Sequence, residues 1–195
     1  MTCQLGSLSK VRGFVLTAGL LAAGVSAQAQ QNQIFDARSL APFVPTPERV
    51  VQRMLELAKV EKKDIVYDLG SGDGRILFAA AGSFHARAVG IEINSTLVEQ
   101  TRTRVAELKM DDRIEVRQEN MLEADLSEAS VVTVYLLSSS NEVLRPKLER
   151  ELRPGARVVS LDFQFRDWQP VSTTDVEGET RRHRIFVYRM GEARP

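Results

Sequence analysis

Three glycines and two carboxylates crowd into residues 68–74, "DLGSGDG", directly after the apolar run "IVY". A glycine-rich turn at the end of a buried strand brings backbone close to a ligand, and the charges beside it help decide which ligand. A dinucleotide turn aims its N–H groups at a pyrophosphate and wants G-x-G-x-x-G, which would put the third glycine at position 75. Here the glycines are Gly70, Gly72 and Gly74, and position 75 is Arg75. Asp68 and Asp73 flank the turn, where they would repel a diphosphate but suit a ligand bearing an ammonium and a sulfonium. Asp68, Gly70, Ser71 and Gly72 are therefore candidate ligand residues. The plainer alternative is an ordinary strand-to-helix turn in which Asp68 accepts backbone N–H bonds and Arg75 is a solvent-facing helix start.

Two further markers concern a nucleoside. Glu92, in "VGIEIN", follows the turn by about 20 residues, the spacing at which an acid can bind both ribose hydroxyls. Nicotinamide enzymes share that feature, so it supports a nucleoside without choosing one. "QENM" at 118–121 closes the next strand, where Asn120 can bond an adenine edge and Met121 can pack on its face. A cationic nucleoside with an amino acid tail is S-adenosylmethionine.

The elements that must carry these residues alternate. "TPERVVQRMLELAKV" reads as a helix with Thr46 as N-cap, Pro47 in first position and an apolar stripe of Val50, Val51, Met54, Leu55 and Ala58. "DIVYDLG", "ARAVGIEI", "RIEVRQEN", "SVVTVYLL" and "ARVVSLDF" read as strands. Helices are expected from Gly74, over 94–110 with Leu97, Thr101, Val105 and Leu108 on one face, and over 141–152 with Pro146 near its first turn. "PVSTTDV" and "RIFVYRM" are expected to pair as a C-terminal antiparallel hairpin. The result is an α/β, Rossmann-like, seven-stranded mostly parallel sheet with helices on both faces.

Composition bounds the rest. The 195 residues are 43% apolar and 27% charged, with 26 bases against 26 acids, so nothing points to nucleic acid. Residues 1–29 read as a secretory signal: Lys10 and Arg12, an uncharged run at 14–25, then Ala27 and Ala29. The run is shorter than the about 20 residues of a membrane span. A polar spacer at 30–41 precedes the domain at 42–195. Cys3, the only cysteine, would leave with the signal, and neither His85 nor His183 has neighbours at metal spacing, so no metal site is expected.

Residues 42–190 resemble the class I S-adenosylmethionine-dependent methyltransferases: 68–74 matches their first motif, Glu92 their second, Asn120 the adenine-side position and "LRPGARVV" the approach to the fifth strand. "PFVPTPERVVQRML", "YDLGSGDGR", "VTVYLL" and "LRPKLERELRPGARVVSLDF…DW" are similar to the lysine methyltransferases of the ATP synthase c subunit and adenine nucleotide translocase. That resemblance implies S-adenosyl-L-methionine as cofactor and a lysine amine of a protein, a membrane-associated one among the options, as substrate; the oligomeric state is left open, with a monomer favoured. It also implies that Val44 and Thr46 help close the cofactor site. Asn120, where many relatives have aspartate, and Ser138, where many have proline, depart from the pattern. On the substrate side Tyr135 and then Asp162 are catalytic candidates, each reading equally well as a core aromatic and a structural acceptor. Trp168 either lines an entrance or anchors its loop, and "RRHR" at 181–184 reads as a solvated turn. An NAD(P)-dependent oxidoreductase and an exported, non-catalytic nucleoside-binding protein are the alternatives. Export to the periplasm conflicts with a cytosolic methyl donor; a membrane anchor with the domain in the cytoplasm would not.

Overall fold

In the computed structural model, which describes residues 43–192, all the stretches read as strands join one sheet. The expected signal at 1–29, the spacer at 30–41 and Cys3 lie outside the described residues. The strands are β1 (Ile65–Leu69), β2 (Arg87–Glu92), β3 (Ile114–Gln118), β4 (Val131–Val134), β5 (Arg157–Leu161), β6 (Ser172–Glu177) and β7 (Arg182–Arg189). Their order is β3-β2-β1-β4-β5-β7-β6, with β7 antiparallel to both its neighbours and the remaining pairings parallel. The strand order reverses between β1 and β4, the place where open α/β sheets bind ligands beyond their carboxyl ends.

Strand periodicity builds two cores. Val66 and Val131 point to one face, and Tyr67, Leu69, Val132 and Val134 to the other. The first face is covered by α1 (Glu48–Leu57), α2 (Arg75–Ser83) and α3 (Ser95–Glu107), through Val50, Met54, Leu77 and Val105 among others. The second is covered by α4 (Ser138–Glu151) through Leu144 and Leu148, and by Phe165 and Trp168 of the irregular segment after β5. At the amino ends of the strands, Arg157 donates to Asp64 Oδ1 and to the carbonyl of Ala58, tying β5 to the end of α1 and the start of β1.

Three local expectations need correction. Pro47, not Thr46, is the N-cap of α1; its carbonyl accepts from Val50 and Val51, and no side chain caps the helix. Leu108 is the C-cap of α3 and is 52% exposed, having run past the last turn that packs; Val98 is buried instead. The helix read over 141–152 begins at Ser138, which puts Pro146 in its interior. Serines favour caps over helix interiors, but Ser140 and Asn141 are buried here, and packing draws them into the first turn.

Candidate active site

Register sets the centre of the site. Asp68 pairs with Thr133 across the β1–β4 switch point, and the Thr133 hydroxyl donates to Asp68 Oδ1 at 2.7 Å. Asp68 is 5% exposed. Burial pushes its carboxyl up to about 7, with the charges of Glu92 and Asp73 adding to the rise and the Thr133 hydrogen bond opposing it. A buried acid facing a second acid gains from a cationic ligand.

The turn after β1 is held open by its glycines: Gly70, Gly72 and Gly74 have φ of 81°, 54° and 75°, the left-handed region. At Gly72 a side chain would also collide with Phe43, whose Cε2 lies 2.5 Å from where a Cβ would stand. The Gly72 N–H donates to Glu92 Oε2 at 2.8 Å, and the Asn94 N–H to Oε1 at 2.9 Å, so the turn and the end of β2 share one carboxylate. Asn94 in turn caps α3 through the N–H groups of Thr96 and Leu97. Ser71 is buried, and its hydroxyl has no hydrogen-bond partner among the described residues. Met121 reaches over Gly70, its Cε 3.5 Å from the Cβ that residue lacks. Asn120 accepts from the Leu122 N–H at 3.0 Å and lines a groove of about 270 Å3 with Ile93, Gln118, Glu119 and Glu123.

Asp73 does not face a ligand as a free acid. Arg75 grips it from Nε at 2.9 Å and Nη2 at 2.5 Å, and also donates from Nη1 to the carbonyl of Thr46. The expected pair of acids at the turn is therefore Asp68 with Glu92 rather than Asp68 with Asp73, and Arg75 is a brace rather than a solvent-facing start. Thr46 is buried at that brace, whereas Val44 is 51% exposed. An acceptor-rich pair of strand ends, a glycine cradle and an adjoining groove fit S-adenosylmethionine and do not suit a pyrophosphate.

Tyr135 and Asp162 come together at the carboxyl ends of β4 and β5, joined by three residues from the segment read as a solvated turn. Arg181 donates to the Tyr135 hydroxyl at 2.6 Å and to Asp162 Oδ2 at 2.5 Å; His183 Nδ1 meets the same oxygen at 2.9 Å, and the Arg184 N–H donates to Oδ1 at 3.0 Å. Antiparallel β7 returns its start to this end of the sheet, which sequence spacing alone does not reveal. Burial would raise the Asp162 carboxyl, but these partners outweigh it and hold the group below the ordinary aspartate range. Its φ of 62° is a strained conformation that aspartate tolerates better than most residues. Burial, followed by the charge of Asp162, raises the Tyr135 phenol. Trp168 is an anchor: its ring stacks on Phe165 at 4.6 Å and its Nε1 donates to Glu149 at 2.9 Å.

The family model described as the ANTKMT methyltransferase domain matches residues 68–172, from Asp68 to the first residue of β6. The chain belongs to the ANTKMT methyltransferase family. It is 48% identical over 152 residues to a protein-lysine N-methyltransferase of Saccharolobus islandicus, covering 77% of this chain and 94% of that one. It is 32% identical to the lysine N-methyltransferase of the ATP synthase c subunit from Rattus norvegicus, covering 78% of this chain and 68% of the relative. Among solved structures, an RNA methyltransferase from Salinibacter ruber in complex with S-adenosyl-L-homocysteine superimposes with a TM-score of 0.73 at 49% identity, covering 78% of this chain and 97% of that one. Membership of the ANTKMT family makes the chain a methyltransferase and sets aside the oxidoreductase alternative.

Proposed function

We propose that this protein is an S-adenosylmethionine-dependent N-methyltransferase acting on lysine side chains of a protein substrate. The observation that carries the reading is the buried Asp68–Glu92 pair framing the glycine turn. It has the charge a cationic nucleoside needs, in a chain nearly half identical to a protein-lysine N-methyltransferase.

The cofactor supplies a methyl group already activated on a sulfonium. The remaining work falls to the chain: holding, aligning and drying the reacting groups. Asp68 receives the ammonium end, Glu92 the ribose hydroxyls, Asn120 and Met121 the adenine, and Gly70, Ser71 and Gly72 let the backbone approach. Thr46 and Val44 belong to the segment that covers the turn. Tyr135 walls the substrate side; with its phenol raised and fastened by Arg181, it stays protonated at neutral pH and shapes rather than deprotonates. Asp162, held by three donors, positions Arg181 and His183. The lysine must arrive neutral against an ordinary pKa of about 10.4, so turnover rises with pH well above 8.

RNA is the second reading, favoured by the name of the Salinibacter relative. Full-length protein given label-bearing S-adenosylmethionine with soluble protein, membrane extract or total RNA separates the two. Label recovered as methyllysine, and lost in Asp68→Ala, supports the protein reading; label confined to RNA overturns it. Export by residues 1–29 is a separate proposal. A C-terminal reporter enzyme active only outside the cytosol tests it: activity supports export, and silence supports a domain facing the cytoplasm.

A further inference from the structure

Arg75 touches none of Asp68, Glu92, Asn120 and Met121, yet its contacts span two parts of the chain that meet at the site. Its Nε and Nη2 hold both oxygens of Asp73 in the glycine turn, and its Nη1 reaches the main-chain carbonyl of Thr46, 29 residues earlier. A salt bridge two residues away would serve only the helix start. The bond to Thr46 serves the segment at 43–47, which contributes no strand and is not yet helix.

That segment meets the turn a second time by different chemistry. The Phe43 ring lies over Gly72, with two ring carbons 2.5 and 2.8 Å from the missing Cβ. One charge-assisted contact and one apolar contact thus fasten the same short segment across the same turn, one at each end. The guanidinium is well matched to such a contact, because its planar fork engages a carboxylate with two N–H groups and keeps a third for a carbonyl. Lysine, a single ammonium, cannot reproduce that geometry.

We propose that Arg75 is a positioning residue for cofactor retention, fastening residues 43–47 as a strap over the glycine turn so that the cofactor leaves only when the strap lifts. This rests on the methyltransferase reading for the identity of the cofactor, and goes beyond it in naming what governs residence time.

The test is the dissociation rate of S-adenosylhomocysteine from the full-length protein. Arg75→Met and Phe43→Ala each speed release about tenfold, the scale of one charge-assisted hydrogen bond. The double variant is no faster than the quicker single, because either break lifts the strap. Arg75→Lys recovers only part of the retention. Thermal unfolding without ligand runs in parallel, so that a purely structural role shows as a lower Tm with an unchanged release rate. Unchanged release in both folded single variants overturns the strap, as do independent effects that multiply to about a hundredfold. Should Arg75→Met fail to fold, Arg75→Gln, whose short amide cannot span Asp73 and the Thr46 carbonyl together, takes its place in the comparison. A wild-type protein that binds no S-adenosylhomocysteine overturns the cofactor reading and the strap together; one that binds with unaltered release in the variants overturns the strap alone.

Discussion

Asp68 is an acid whose folded-state pKa stands near 7 rather than at 3.8, chiefly because it is buried. Below about 7 it is neutral in the ligand-free protein, and a cationic cofactor must displace its proton. The affinity for S-adenosylmethionine therefore climbs with pH up to about 7, by as much as roughly tenfold per unit, and levels off above. Calorimetry in two buffers of different ionisation enthalpy should record the released proton, and Asp68→Asn should abolish both the release and the slope. The sign for stability follows from the same shift. Because the folded state holds this proton more tightly than the unfolded chain, the ligand-free domain loses stability as pH rises from about 4 to about 7. Gly72→Ala tests a second residue: a left-handed φ costs a non-glycine about 1–2 kcal/mol, and the Phe43 collision adds to it. It should lower Tm and abolish S-adenosylhomocysteine binding. Glycine spacing and the acid of β2 were legible because they are fixed by type and distance along the chain. The pairing of Asp73 with Arg75 was not, since neither residue type says which way its side chain turns.

Elements were legible where periodicity is strong and misread where a polar run is recruited by packing. α1 declares itself through its buried stripe, while α4 starts three residues early because Ser140 and Asn141 are buried against the sheet. Pro146 then sits inside that helix without an N–H for the Glu142 carbonyl. An interior proline costs about 3 kcal/mol, offset by about 1 kcal/mol of restricted unfolded chain. Pro146→Ala should accordingly raise stability by about 1–2 kcal/mol in urea unfolding, with cofactor binding unchanged. The hairpin of β6 and β7 was expected, but its consequence was not: the antiparallel return carries Arg181 and His183 to Tyr135 and Asp162. Arg181→Met should lower kcat/KM toward the protein substrate about tenfold while S-adenosylhomocysteine affinity holds. An equal loss of both would mean that the hairpin merely supports the sheet.

At the scale of the whole molecule, chemistry is divided between the ends of the sheet. The amino ends of the strands are stapled by Arg157 and Asp64, and the carboxyl ends gather the acids Asp68 and Glu92, proposed to hold the cofactor, on β1 and β2 and the aromatic–arginine cluster on β4, β5 and β7. Strand order decided that division, and alternating elements made the order readable; which acceptor the open side receives is set by surfaces that no spacing encodes. Methyl transfer by the full-length protein from label-bearing S-adenosylmethionine, with mass spectrometry of the acceptor fractions, is the most direct measurement. Methyl groups on lysine side chains, absent with Asp68→Ala, are the predicted result; label found solely on RNA bases, with every lysine unmodified, would contradict it.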